Sequence, residues 1–281
     1  MILSLLMSFA DWDIISPAKF RGLGNFREAF TEDPSFYASL WATLKYTAFS
    51  VPLGIIGSMA LALLLNQKVK GVAIYRSLYY LPSISSFVAA SLIWRRLFNP
   101  EGGLVNAVIY GSSGHSMVGD ALSRYVGTPD KMVDWLGNQV TALPAIIIMS
   151  LWGIGGGMVI FLAGLQGIPQ HYYEAATLDG AGAVGKFRNV TLPLLTPTIF
   201  FTLITGLIGS LQVFTQAFIM TQGGPNDATR FFVYHLYLAA FDSVRMGYAS
   251  ALGWILFAIV LVFTLIQVRG SKWVYYEADT K

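Results

Sequence analysis

Tyr173-Glu174-Ala175-Ala176-Thr177-Leu178-Asp179-Gly180, running on to Val190-Thr191-Leu192-Pro193, is a mostly polar island between two long apolar segments. An island this short cannot build a core of its own. It must sit in water at a membrane face or press against another protein. The pattern predicts two short helices. Gly167 can cap the apolar segment in front, and Pro169 suits the first turn of a new helix, expected over residues 170–179. Gly180 and Gly182 permit backbone angles that other residues resist, so the chain can turn there. Val184, Phe187 and Val190 then recur at spacing three, a narrow apolar stripe for the second helix, with Lys186 and Arg188 beside it. Pro193 marks the end of that helix or the entry to the next segment.

The rest of the chain says what the island is set in. Of 281 residues, 55% are hydrophobic and 12% charged, where a soluble domain is about a quarter charged. Mean hydropathy is +0.59. This is the composition of a polytopic membrane protein. The net charge of +3 is small and no basic cluster points to nucleic acid. The absence of cysteine excludes disulfides and thiol chemistry. His115, His171 and His235 are far apart and form no metal-ligand spacing. No low-complexity linker divides the chain, so it reads as a single domain over residues 1–281.

Apolar runs long enough for a bilayer, about 20 residues, fall at 40–65, 78–94, 141–165, 194–220 and from 247 to about 268. Pro52 should kink the first. Pro82 and Pro197 lie in first turns, where proline is tolerated. The third run holds Gly153, Gly155, Gly156 and Gly157, which suit close helix packing or a local break. Residues 1–10 are apolar but too short to cross. Residues 11–36, 98–138 and 231–246 read as exterior.

The spacing of the island is Glu-Ala-Ala, three residues, Gly, nine residues, Val, one residue, Leu-Pro. It resembles the EAA loop in permease subunits of binding-protein-dependent ABC importers, with Val190 at a position that is usually Ile. Phe161-Leu162-Ala163-Gly164-Leu165-Gln166-Gly167-Ile168-Pro169 and Thr191-Leu192-Pro193-Leu194-Leu195-Thr196-Pro197 are similar to the carbohydrate-uptake branch, the relatives of maltose and glycerol-phosphate permeases. The resemblance implies an all-α helical bundle of five full transmembrane helices plus a truncated first, where the family has six. It implies a cytoplasmic coupling loop over residues 166–193. The ATPase-coupling residues carried over are Tyr173, Glu174, Ala175, Ala176, Asp179, Gly180, Val190, Leu192 and Pro193. The implied partners are a second homologous permease, two ATP-binding subunits, an extracytoplasmic sugar-binding protein and the lipid bilayer. That binding protein would meet the exterior loops near Phe26, Asn106 and Asn226. The implied location is the prokaryotic inner (plasma) membrane.

With that loop inside, Lys68, Lys70, Arg76, Lys186, Arg188, Arg269, Lys272 and Lys281 are inside too. Their density favours this orientation weakly, and Arg95 and Arg96 count against it. There is no phosphate-binding G-x-x-x-x-G-K-[ST] sequence; residues 182–187 lack its spacing and its Ser/Thr. No Asp or Glu falls inside a span, as ion-coupled transporters usually require. An energy source must therefore come from a partner, with no catalysis or cofactor in this chain and ATP bound by a separate subunit.

For the solute, Gln212 and Gln216 are four apart, hence on one helical face, and Trp152 and Tyr248 can stack on a sugar ring. Amides and aromatics suit neutral polyols, whereas phosphate wants arginine. The alternative is that the glutamines bond neighbouring helices and that Tyr248 marks the interface. The readings weighed are a sugar or oligosaccharide importer, an importer of glycerol phosphate or another small solute, an ion-coupled secondary transporter, and an intramembrane enzyme, against which the missing paired catalytic groups or metal ligands weigh.

Overall fold

A computed structural model describes residues 1–67, 70–111, 116–128 and 132–275. Lys68, His115 and Lys281 lie outside the described residues. The chain is mostly helical. In order it runs α1 (Ile2–Ser8), β1 (Ala10–Asp11), β2 (Lys19–Phe20), α2 (Gly24–Thr31), α3 (Pro34–Leu65), α4 (Val72–Ile84), α5 (Phe87–Leu97), α6 (Leu104–Tyr110) and α7 (Met117–Tyr125). Then come α8 (Ala142–Ser150), α9 (Ile154–Gln166), α10 (Gln170–Leu178), α11 (Ala183–Lys186), α12 (Leu192–Leu194), α13 (Thr196–Leu211), α14 (Phe232–Tyr237) and α15 (Met246–Arg269).

Among the described residues, three stretches without a sharp break are long and apolar enough to cross a membrane: Pro34–Leu65, Ala142–Gln166 and Met246–Trp273. At 1.5 Å per residue the first is about 48 Å long, more than a hydrocarbon core needs. The helix continues through Pro52.

The other two expected spans are corrected. The run at 78–94 is not one helix, because Ser85 and Ser86 leave helical geometry and the Ser86 hydroxyl caps α5 by accepting from Val88 N. The run at 194–220 bends by 61° between Ala183–Leu194 and Thr196–Leu211. It then stops at Leu211. Five spans result only if each bent pair counts as one. The all-α expectation also gains one exception, a two-residue antiparallel pair joining Ala10 to Phe20 and Asp11 to Lys19.

Two compact units arise from interleaved segments. The first comprises Met1–Ala48, Ser86–Met149 and Gly209–Leu261. One of its clusters joins Ala29 and Phe36 to Phe232, Ala240, Tyr248 and Leu252. A second gathers Phe98, Tyr110, Val133 and Trp135. Asn106 staples that region: its amide nitrogen donates to Val133 O at 2.9 Å and its oxygen accepts from Trp135 Nε1 at 2.8 Å. Asn106 is thus buried, and the surface of its loop is left to its neighbours.

The second unit comprises Phe49–Ser85, Ser150–Ile208 and Val262–Lys281. Ala62 and Leu65 of α3, Met158, Phe161, Leu162 and Leu165 of α9, and Leu195 form its core. The glycine-rich run of α9 serves packing here. A Cβ on Gly155 would stand 1.9 Å from the Tyr79 carbonyl oxygen, so α9 lies against the α4 backbone where any side chain would collide. Arg76 donates to the Leu65 carbonyl at 2.8 Å, satisfying an orphan acceptor at the end of α3.

Candidate functional site

The polar island folds as a helix, a tight turn and a second, irregular helix, all in the second unit. Pro169 has extended backbone angles and stands at the N-cap of α10. Gly167 ends α9 with φ −76°, a right-handed residue rather than a left-handed cap. At the far end of α10, Gly180 N bonds Thr177 O at 3.0 Å and Ala181 N bonds Ala176 O at 2.8 Å. Gly180 has φ +80°. These are the paired bonds of a Schellman cap, which satisfy the last carbonyls and require a left-handed residue. Nothing lies within 4 Å of a Cβ built on Gly180, so glycine is needed there for its backbone angle and not for space.

Each of the two helices holds one large aliphatic residue outward. Leu178 is 90% exposed and Val184 is 79% exposed. Glu174, Ala175 and Asp179 are exposed with them, and Ala176 is partly so. The expected Val184–Phe187–Val190 stripe is corrected: Phe187 and Val190 are half-buried, but Val184 is not. A π-helical turn follows at Phe187–Thr191, with Leu192 N donating to Phe187 O five residues back. Wide turns of this kind cluster at functional sites. Pro193, which has no N–H to give, stands two residues beyond it.

Tyr173 points the other way from Glu174. Its hydroxyl meets Thr191 Oγ1 at 3.0 Å, and Thr191 is 5% exposed. Leu192 and Pro193 are half-buried, and Leu195 just beyond is fully buried. Sequence reasoning missed Thr191, Leu178 and Val184 as site residues. The available signal was an apolar side chain in a polar island, next to a glycine turn.

The residues expected along a solute path belong to both units. Trp152 lies in the second unit, in a 3-10 turn (Leu151–Gly153), and is partly exposed. Gln212, Gln216 and Tyr248 belong to the first. Gln212 and Gln216 do not share a helical face: α13 ends at Leu211, Gln212 is an exposed turn residue, and Gln216 is buried after the chain has turned.

Tyr248 is not an open stacking platform either. It is 4% exposed, its ring faces the Arg245 guanidinium at 4.7 Å, and its hydroxyl donates to Asp33 Oδ2 at 2.5 Å. The same carboxylate oxygen takes a bond from His235 Nε2 at 2.9 Å, and Asp33 Oδ1 accepts from Ser35 N at 2.8 Å. Glu28 beside it binds Arg21 at 2.9 Å and Arg245 at 2.5 Å. Burial alone raises Asp33, but the bonds from Tyr248, His235 and Ser35 outweigh it and hold the carboxyl below its usual value. Burial lowers His235 despite the neighbouring carboxylate. The ring is therefore read as neutral, donating a hydrogen bond rather than forming an ion pair. Among the described residues no cluster has the makings of a metal site.

Residues 50–274 match the family described as binding-protein-dependent transport system inner membrane component. The chain is 40% identical over 279 residues to the probable ABC transporter permease protein YesP of Bacillus subtilis (strain 168), covering 98% of this chain and 85% of that one. It is 32% identical over 266 residues to the trehalose/maltose transport system permease protein MalF of Thermococcus litoralis, covering 93% and 83%. Its fold is similar to a chain in the crystal structure of a bacterial ABC transporter involved in the import of the acidic polysaccharide alginate. There the TM-score is 0.78 at 22% identity, covering 100% of this chain and 89% of that one. With a family match over most of its length and a 40% identical relative spanning nearly all of it, the chain belongs to the inner-membrane permease components of binding-protein-dependent ABC transporters.

Proposed function

We propose that this chain is the membrane-spanning subunit of an ATP-driven importer of a sugar or oligosaccharide. Residues 1–281 form one multi-pass transmembrane domain of the prokaryotic inner membrane, and the loop 166–193 faces the cytoplasm. A separate pair of ATP-binding subunits docks on α10 and α11. Closure of that pair moves the loop and switches the spans between inward and outward access. A second homologous permease completes the pathway, and an extracytoplasmic binding protein delivers the solute. The chain carries no catalytic group or cofactor for ATP hydrolysis and no role in nucleic-acid binding.

The observation that carries this reading is the outward pair Leu178 and Val184, flanked by Glu174, Ala175 and Asp179 on a loop fixed by the Schellman cap. A rigid apolar knob with small neighbours and two carboxylates suits a groove with an apolar floor and basic rim. The sugar assignment rests on the trehalose/maltose relative and on polar, non-cationic candidates for the path, Trp152, Gln212 and Gln216. Tyr248 is assigned to the Asp33 cluster instead. The test is to purify the chain with its natural partners and screen their binding protein for ligands. ATPase subunits that leave the complex when Glu174→Lys or Leu178→Asp is introduced, with a saccharide as ligand, support the reading. A purified chain that moves solute unaided overturns it.

A further inference from the structure

We infer that Tyr173 and Thr191 form a positioning pair that carries movement of α10 into the joint at Leu195; the inference rests on the docking reading above. The segment Ala183–Leu194 is held at two points near its C-terminal end, Thr191 within it and Leu195 just beyond it. At the first, Tyr173 Oη and Thr191 Oγ1 share a bond of 3.0 Å across 18 residues of sequence. At the other, Leu195 is buried among Ala62, Leu65, Phe161 and Leu165, and the axis turns by 61° into α13.

The weak part leads into the first of these holds. The π-helical turn Phe187–Thr191 precedes Pro193, so the normal ladder is interrupted there. Thr191 Oγ1 also reaches the Lys186 carbonyl at 3.4 Å. It thus ties α10 to the very turn that is least constrained by its own backbone. Beyond the joint, Thr196 Oγ1 bonds the Pro193 carbonyl at 2.6 Å and takes the amide of Tyr275 at 2.8 Å, which braces the start of α13.

A push on α10 therefore reaches the segment through a side-chain bond, turns it about the buried Leu195, and shifts α13. Without the hydroxyl pair, α10 still offers Leu178 and Glu174 to a partner but slips against the segment it should move. The pair acts on coupling, not on docking.

The test uses the whole transporter in proteoliposomes, with solute uptake and ATP hydrolysis measured on the same sample. Thr191→Val keeps the shape of the buried side chain and removes its hydroxyl. It is expected to retain the ATPase subunits yet lower solute moved per ATP at least threefold. Thr191→Ser restores the ratio. Tyr173→Phe lowers the ratio as well, and the double variant falls no further than the single ones, as a shared bond requires. Should Thr191→Val reduce the protein in the membrane, Tyr173→Phe decides by the same ratio, since it removes one oxygen from a half-exposed ring. A wild-type ratio in both, with Leu178→Asp still releasing the ATPase, overturns the positioning pair alone. Retention of the ATPase by Leu178→Asp overturns the docking reading, and the pair falls with it.

Discussion

Two polar regions interrupt this apolar chain, and they are built in opposite ways. Around Asp33, polar groups from three separate stretches turn inward and bond one another: Tyr248, His235 and Ser35 on one carboxylate, Arg21 and Arg245 on the Glu28 beside it. Around Glu174, the carboxylates are exposed, and Leu178 and Val184 stand out with them. In sequence both regions are charged residues mixed with aromatics between apolar runs. In the structure one has consumed its polar groups within the chain, and the other leaves them for something else. A polar break in a membrane protein is therefore a candidate docking site only when its groups remain unspent.

The comparison is broken or sharpened by substitution, starting where the effect is largest. Asp33→Ala removes the acceptor of three hydrogen bonds and leaves buried donors on His235 and Tyr248 without it. Bonds to a charged group are worth about 1.5–3 kcal/mol each, and their loss is not additive, so a destabilisation of about 3 kcal/mol is expected. Thermal unfolding in detergent reads it, and an unchanged midpoint would place the cluster with the open region. Leu178→Asp should leave that midpoint alone, because its side chain touches little of its own chain. It should instead weaken ATPase retention by about 2 kcal/mol, roughly 30-fold, as loss of an interface anchor does. Gly180→Ala comes next, at about 1 kcal/mol for forcing a side chain into the left-handed region. Its cost appears as looser ordering of α10, read by amide exchange at Ala181 and Gly180, whose bonds form the cap.

The sequence made the island legible because its spacing is local. Gly180 ends α10 through a bond pattern confined to six residues, and Pro169 begins it by a backbone rule of the same reach. Span positions were legible from apolar length, but not their breaks. The kink at Leu195 and the interruption at Ser85 and Ser86 arise from where neighbouring helices pack, which no short window contains. The shared face of Gln212 and Gln216 failed for this reason: spacing of four means proximity only while the helix continues, and it ends at Leu211. The Asp33 cluster joins residues more than 200 positions apart, so reading 11–36 and 231–246 as separate exterior stretches missed that they bond each other.

The smallest effect concerns pH, and it separates the two regions by sign. His235 titrates below its ordinary value in the folded chain because burial disfavours the charged ring. As pH falls below about 6.5, the unfolded chain takes up a proton that the folded chain declines, so stability is lost from that point down to the folded value. Asp33, held below the ordinary carboxylate value, adds its own loss only once pH falls below about 3.9. The charged groups bearing on His235 are Asp33, Arg230 and Asp227. Between pH 8 and pH 5 the unfolding midpoint should therefore decline. His235→Gln, which can still donate to Asp33, should flatten much of that decline. A profile untouched by the His235 change would mean that the closed cluster is not where this chain keeps its buried proton-sensitive group.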